Sequence, residues 1–252
     1  MCIIAFAYKM HPQHDLIVIA NRDEFYKRPT KELHQWDDAL HIWAGRDLEK
    51  MGTWLAVSDN GRFAAVTNYR DPRLPLVGEK SRGQVPVNFI NSQLSAHQFA
   101  QQLQQERQLY GAFNAILYDG EHLVHYNTVL NELMIVPQGI HCLSNATLNT
   151  AWPKVERLKA NMCETIQTTT EEEALFSLLK DTIRAEDQHL PATGVPFEME
   201  QKLSPIFIHF DGYGTRASTV VKSTSNGWDI AERSFTDGQY SNDVRFLIEK
   251  GR

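Results

Sequence analysis

The chain has 252 residues, 42% of them hydrophobic and 22% charged, with a formal net charge of −6. That is close to the globular average and supplies a full core, while the acidic balance with dispersed basic residues excludes nucleic acid as a partner. No stretch approaches the ~18 apolar residues of a membrane span, and Cys2, Cys142 and Cys163 are widely spaced, with no C-x-x-C pair for a disulfide framework or zinc site. The first apolar run ends after five residues in the polar HPQHD, which is no signal peptide. The expectation is a cytoplasmic protein with one domain over 1–252.

Cys2 follows the initiator methionine directly. Removal of Met1 would leave one residue with both a thiol and an α-amine. Those groups titrate near ~8.5 and ~8, so the amine can act as base for its own sulfur. The alternative reading is an ordinary buried or exposed thiol. Ile3–Ala7 is a short apolar run of the kind that makes a buried strand, and Leu16–Ala20 is expected to pair with it through a turn at 9–15. Asn21-Arg22-Asp23-Glu24 then ends the second strand, either as a solvated turn or as a polar cluster beside Cys2, where a guanidinium would favour the thiolate and a carboxylate hold the amine.

Trp54–Val57 and Phe63–Thr67 flank Ser58-Asp59-Asn60-Gly61, whose Asn-Gly pair predicts a hairpin. Asn68 follows that strand, either as a turn former or as an amide that donates to a developing oxyanion. The stretch 69–84, with Pro72, Pro75, Gly78 and Gly83, reads as loop. Ser95 and Gln98 form a capping box with Leu94 and Phe99 as staple, predicting a helix over 95–109. Strands are expected at Phe113–Tyr118, Leu123–Tyr126, Met134–Val136 and Cys142–Leu143. Asn145 carries the same ambiguity as Asn68.

A second helical block spans 153–185, with Thr170 and Glu173 as a capping box and Leu175, Leu178, Leu179 and Ile183 as its buried face. Strands return at Ile206–Phe210 and Thr219–Val221. Gly212-Tyr213-Gly214-Thr215-Arg216 has the look of a phosphate loop, but no helix follows it, so the dinucleotide reading fails its context. Arg216 stays as an anion contact or Cys2 activator. His122 and His125 lie three apart in an expected strand and cannot share a metal, so no metal site is assigned. Strands in runs with grouped helices give an α+β class.

Met-Cys-Ile, Asn21-Arg22-Asp23-Glu24, Gly52-Thr53-Trp54, Thr67-Asn68-Tyr69-Arg70, Ser81-Arg82-Gly83, Leu143-Ser144-Asn145, Trp152-Pro153-Lys154 and Gly214-Thr215-Arg216 together resemble the NRDE family, that of the transport and Golgi organization protein 2 homologues. The resemblance covers essentially the whole chain. It implies an N-terminal-nucleophile hydrolase-like fold, a four-layer αββα sandwich of two antiparallel sheets, similar to choloylglycine hydrolases and penicillin V acylases. It further implies Cys2 as nucleophile, Arg22 and Asp23 as its supports, Asn68 and Asn145 as amide contacts and Arg216 as the late arginine. The acylases space their Arg and Asp three apart, whereas here they are adjacent, and adjacent strand residues face opposite ways. Only one of the two can face Cys2 unless the strand has already ended.

Two functions follow. One is a cofactor-free cysteine amidohydrolase cleaving a non-peptide C–N bond in a small molecule. The other, implied by the family, is a non-enzymatic protein that binds and carries haem or an acyl-coenzyme A or lipid ligand.

Overall fold

The structure, a computed structural model, describes residues 2–75 and 77–251. Met1, on whose removal the nucleophile reading turns, lies outside the described residues. The class is α+β, with two seven-stranded antiparallel sheets and five α-helices among the described residues. The chain resolves into two compact units, one of 1–27, 138–225 and 229–246, the other of 28–137, 226–228 and 247–252.

The first unit is organised on β1 (Cys2–His11) and β2 (His14–Phe25). They form a long hairpin whose turn is far tighter than the 9–15 loop expected, with His11 opposite His14. Three further strands, β10 (Gly139–Leu143), β12 (Tyr213–Thr224) and β13 (Gly227–Thr236), give the order β10-β1-β2-β12-β13, closed by β14 (Gln239–Glu249), and the short β11 (His209–Phe210) pairs with β12 as the seventh strand. β1 and β2 are interior strands, so nearly every residue from Cys2 to Tyr8 and from Leu16 to Asp23 is buried. Alternation divides them by face. Ile3, Ala5, Ala7, Ile17, Ile19 and Val220 pack with α3 (Pro153–Ile166) and α4 (Glu172–Leu178). Val155, Leu158, Met162 and Ile166 recur at helical spacing on α3 to meet that face.

The α4 start differs from the expected capping box. No side chain caps its N-terminus, and the Thr169 hydroxyl, one residue earlier than expected, accepts from the Glu171 N–H. Thr170 and Glu173 are free of that role because Glu173 turns outward to Arg233 and Lys180. The helix also stops before Ile183, which is 64% exposed rather than part of the buried face.

The second unit contains the sheet β3-β4-β5-β6-β7-β8-β9, formed by Thr30–Trp36, Ala39–Asp47, Leu55–Ser58, Phe63–Asn68, Phe113–Tyr118, Leu123–Asn127 and Glu132–Ile135 in chain order. α1 (Gln84–Asn91) and α2 (Ala96–Gln105) cover one face through Val85, Phe89, Phe99, Ala100 and Leu103. The Ser95–Gln98 capping box forms as read from the sequence. Two of the quoted sequence motifs meet here for a packing reason. The Thr53 N–H donates to the Gly83 carbonyl at 2.8 Å, and a Cβ on Gly52 would lie 2.4 Å from that same oxygen. Gly52-Thr53-Trp54 and Ser81-Arg82-Gly83 therefore interlock backbone to backbone.

The other face of this sheet holds a buried polar ladder. Asn114 Oδ1 accepts from Asn127 Nδ2 at 2.7 Å and from His125 Nε2 at 3.1 Å, while Asn114 Nδ2 donates to Thr67 Oγ1. Burial pushes the His125 imidazole down from 6.5 to about 4, so it is a neutral, hydrogen-bonded core histidine.

Two outcomes follow from these contacts. Gly52→Ala forces backbone apart and should destabilise the chain by about 1–3 kcal/mol in urea denaturation. For His125, the unfolded chain takes up the proton first as pH falls below ~6.5, so stability drops between there and ~4, by on the order of 3 kcal/mol in total. His125→Gln should flatten that part of the slope between about pH 7 and about pH 5.

Candidate functional site

The register of β1 on β2 pairs Cys2 directly with Arg22. Opposed residues of an antiparallel pair point to the same side, so the thiol and the guanidinium share the face away from α3 and α4. On the other flank, the β1–β10 register sets Ile4 against Leu143. Continued by two positions it brings Asn145, fully buried, level with Cys2. Ser144 fixes that end: its hydroxyl donates to the Cys2 carbonyl at 3.2 Å and approaches Asn145 Oδ1 at 3.4 Å.

β2 does not end before the NRDE motif; it runs through it to Phe25. The motif is therefore sorted by the pleat, not presented as a solvated turn. Asn21 and Asp23 face the helices. Asn21 Nδ2 donates to the carbonyls of Leu179 and Ile206, at 2.9 and 3.0 Å, and its Oδ1 accepts from Ser218. Asp23 Oδ1 accepts from Thr215 Oγ1 at 2.8 Å, and that hydroxyl also takes the Ile208 N–H. Tyr213 closes the arrangement on the Asp23 carbonyl. Asn21 and Thr215 stand in motifs visible in the sequence but are assigned no role there. Their signal was the period of two, which assigns every second motif residue to the core once the strand is known to continue.

Arg216 enters through a break in the ladder. β2 and β12 pair Asp23 with Thr215 but Arg22 with Ala217, so Arg216 is an extra, bulged residue. In such a bulge two residues oppose one on the partner strand; Arg216 and Ala217 together oppose Arg22. Arg216 is half-buried, and its Nη1 donates to the Phe25 carbonyl at 3.1 Å. Burial and the neighbouring Arg22 guanidinium push it below its ordinary value, against the pull of Glu24 and Tyr26. Gly214, paired with Glu24, lies under the Tyr26 ring tip: a Cβ there would sit 2.1 Å from the phenol oxygen, which bonds His209 Nδ1 at 2.8 Å.

The structure thus gathers Cys2, Arg22, Asn145 and Arg216 in one unit, with Asp23 alongside on the reverse face. Asn68 ends β6 in the other unit and is exposed. Trp152-Pro153-Lys154 serves packing: Pro153 opens α3, where its missing N–H costs nothing, and buried Lys154 donates to the Leu203 carbonyl at 2.9 Å.

The electrostatics correct one expectation. Two nearby basic groups were to lower the Cys2 thiol, but burial dominates and raises it, helped by the Asp23 carboxylate. The terminal ammonium, the Asp23 backbone N–H and Arg22 oppose that rise without overcoming it. Cys142 is pushed up to about 12, by burial above all. Among the described residues no group of three or more His, Cys, Asp or Glu is placed to hold a metal ion, and no helix is long and apolar enough to cross a membrane.

The family described as Transport and Golgi organisation 2 matches residues 1–237. Similar proteins include the Transport and Golgi organization protein 2 homolog of Homo sapiens, 30% identical with 96% of each chain covered. The Mus musculus homolog is 31% identical over 94% of each chain, and that of Bos taurus 31% over 90% of each.

Thiol labelling of the folded protein tests the burial argument. With Met1 retained, half-buried Cys163 should alkylate first near neutral pH, roughly tenfold or more ahead of Cys142, with Cys2 also lagging. Cys2 labelling first in Met1-bearing protein would show that its surroundings favour the thiolate after all.

Proposed function

This chain belongs to the Transport and Golgi organisation 2 family, and we propose that it is a cysteine N-terminal-nucleophile amidohydrolase acting on a non-peptide C–N bond of a small molecule. The observation that carries the reading is the pairing of Cys2 with Arg22 at the head of an interior strand, with buried Asn145 just past the end of β10, beside the Ser144 hydroxyl that bonds the Cys2 carbonyl. Two features support it: an interior first strand that starts at the cysteine, and antiparallel sheets each with helices on one face, as an N-terminal-nucleophile hydrolase-like fold would have.

Once Met1 is removed, the Cys2 α-amine takes the thiol proton as sulfur attacks the substrate carbonyl carbon. Arg22 stabilises the thiolate, and Asn145 donates to the tetrahedral oxygen. Collapse breaks the C–N bond, with the proton passing from the ammonium to the leaving nitrogen, and leaves a thioester on Cys2. Water, deprotonated by the same amine, attacks that thioester and releases the acid and the free thiol. Removing Met1 also places the ammonium on the nucleophile's own Cα, which counters the burial that now holds the thiol up. Asp23, bonded to Thr215 on the reverse face, holds the strands in register and takes no direct part. Asn68, which ends β6 in the other unit, is given no role in this reading.

A second reading, a non-enzymatic carrier of an acyl-coenzyme A or lipid, is favoured by the raised thiol and by the reverse-facing Asp23. Haem fits less well. Arg22 and Arg216 would suit its propionates, but the imidazole bonded at this edge, His209, already holds Tyr26, and the Cys2 thiol is held protonated.

Intact-mass spectrometry decides between the two. The hydrolase reading expects Met1-free protein and, on incubation with a panel of N-acyl amides, an acyl adduct on Cys2. Cys2→Ala should lose the adduct and lower turnover by roughly 10²-fold or more. Quantitative retention of Met1, or undiminished turnover in Cys2→Ala, would remove the enzyme reading and leave the carrier.

A further inference from the structure

The first residue of an interior strand is the hardest one to hold still. Chain termini fray unless something ties them down, and the two ladders that flank β1 do not begin together. Its register on β2 starts at Cys2, that on β10 only at Ile4. On the β10 side the Ser144 hydroxyl reaches the Cys2 carbonyl and donates to it at 3.2 Å, with Cys2 8% and Ser144 2% exposed. A hydroxyl carries one proton, and that carbonyl is nearer to it than Asn145 Oδ1, at 3.4 Å.

Ser144 itself stands on a braced turn. Asn149, at φ 59°, folds the chain back along β10. Its N–H donates to the Cys142 carbonyl at 2.8 Å, its Oδ1 accepts from the Cys142 N–H at 3.0 Å, and its Nδ2 meets His141 Nδ1 at 2.9 Å. His141 in turn stacks on Phe6 of β1, with ring centroids 5.4 Å apart. The donor is thus fixed to the same strand pair whose end it holds, the kind of support that keeps a reacting group in place.

We infer that Ser144 is a positioning residue for Cys2, holding the first peptide unit of β1 so that the sulfur meets the substrate carbonyl beside the Asn145 amide. The Cys2 carbonyl belongs to a planar unit that also contains the Cys2 Cα, and thiol and α-amine both branch from that atom. Their separation is set by covalent geometry and one side-chain torsion, so the Ser144 bond leaves the acid–base pair itself unchanged. What it sets is where the pair stands relative to Arg22 and Asn145. With Met1 removed, no preceding peptide unit restrains that Cα, and the bond gains weight. A misplacement of about 1 Å can cost on the order of 10²-fold in rate. This role rests on the hydrolase reading for the reaction it serves.

Acyl transfer and alkylation, followed on full-length protein freed of Met1 by a methionine aminopeptidase, separate positioning from simple reactivity. The acyl probes are N-acyl p-nitroanilides: sulfur bonds the carbonyl carbon, the C–N bond breaks, and p-nitroaniline leaves with the thiol proton. Intact mass reads that adduct, and iodoacetamide reads the thiol alone. In Ser144→Ala the maximal rate of adduct formation should fall by about tenfold or more, with the half-saturating concentration within about threefold. Cys2 alkylation should be no slower than in the parent. Ser144→Thr, which keeps the hydroxyl, should recover most of the acylation rate. Equal acylation in Ser144→Ala, a parallel fall in alkylation, or a Ser144→Thr no better than Ser144→Ala overturns the role while the hydrolase reading stands. A parent that forms no adduct removes that reading and this role with it. Should Ser144→Ala fail to fold, Ser144→Thr decides alone: acylation below about a third of the parent's rate in the folded variant overturns the role.

Discussion

The antiparallel ladder of β2, hydrogen-bonded to β1 on one side and to β12 on the other, is the constraint from which the candidate site follows. It lies inside the sheet, so its register cannot slip by one residue without sending every buried apolar group to the wrong face. That register alone fixes three relations: Cys2 against Arg22, Asp23 against Thr215, and Arg216 out of step. Asn21 then bolts the same strand to the helical layer through the Leu179 and Ile206 carbonyls. Each of these amides and hydroxyls is buried, and a buried polar group without a partner costs ~1–3 kcal/mol. The bonds therefore act as position markers as much as glue.

The NRDE motif is thus two interleaved motifs. Its first and third residues are structural, spending their polarity inside the first unit. Its second and fourth lie on the face with Cys2 and Arg216. The hydrolase-like reading of Arg22 and Asp23 as joint supports of the nucleophile treats them as neighbours in space because they are neighbours in sequence. In a strand, adjacency means separation. The departure in spacing from the acylases, visible in the sequence, finds its physical meaning here: Arg22 lies opposite Cys2, while Asp23 bonds Thr215 on the reverse face.

Much of the fold was legible because its signals are local. The Ser95–Gln98 box and the strand Phe113–Tyr118 form as read, since a cap and an apolar run flanked by turn residues need no distant partner. The misses have local reasons too. α1 begins where the 69–84 loop ends and carries no helical signal that stands out; its Pro86 is tolerated because it lies in the first turn, where the N–H has no helical acceptor to lose. β13 and β14 went unread although Asn226-Gly227 and Asp237-Gly238 mark hairpin turns, with Gly227, Asp237 and Gly238 all at positive φ. The β14 burial pattern is almost wholly exposed, so it lacks the alternation that announces a strand. Of the site, the residue identities were readable from motifs. The bulge at Arg216 was not, because a bulge is a property of two paired strands and the sequence of either alone is silent about it.

Burial and reactivity pull against each other at Cys2. The interior position that aligns the thiol with Arg22 and Asn145 also desolvates it, and desolvation favours the neutral thiol over the thiolate. A single nearby guanidinium does not reverse that balance in the chain as it stands. A positive charge on the nucleophile's own Cα would act at the shortest distance available, where Coulomb attraction is least screened. Processing of Met1 is then more than exposure of a base: it is the step that would convert a well-placed but quiet cysteine into a nucleophile. A carrier would need no such step, because Arg22 opposite Cys2 and the buried Asn145 are in place before any processing occurs.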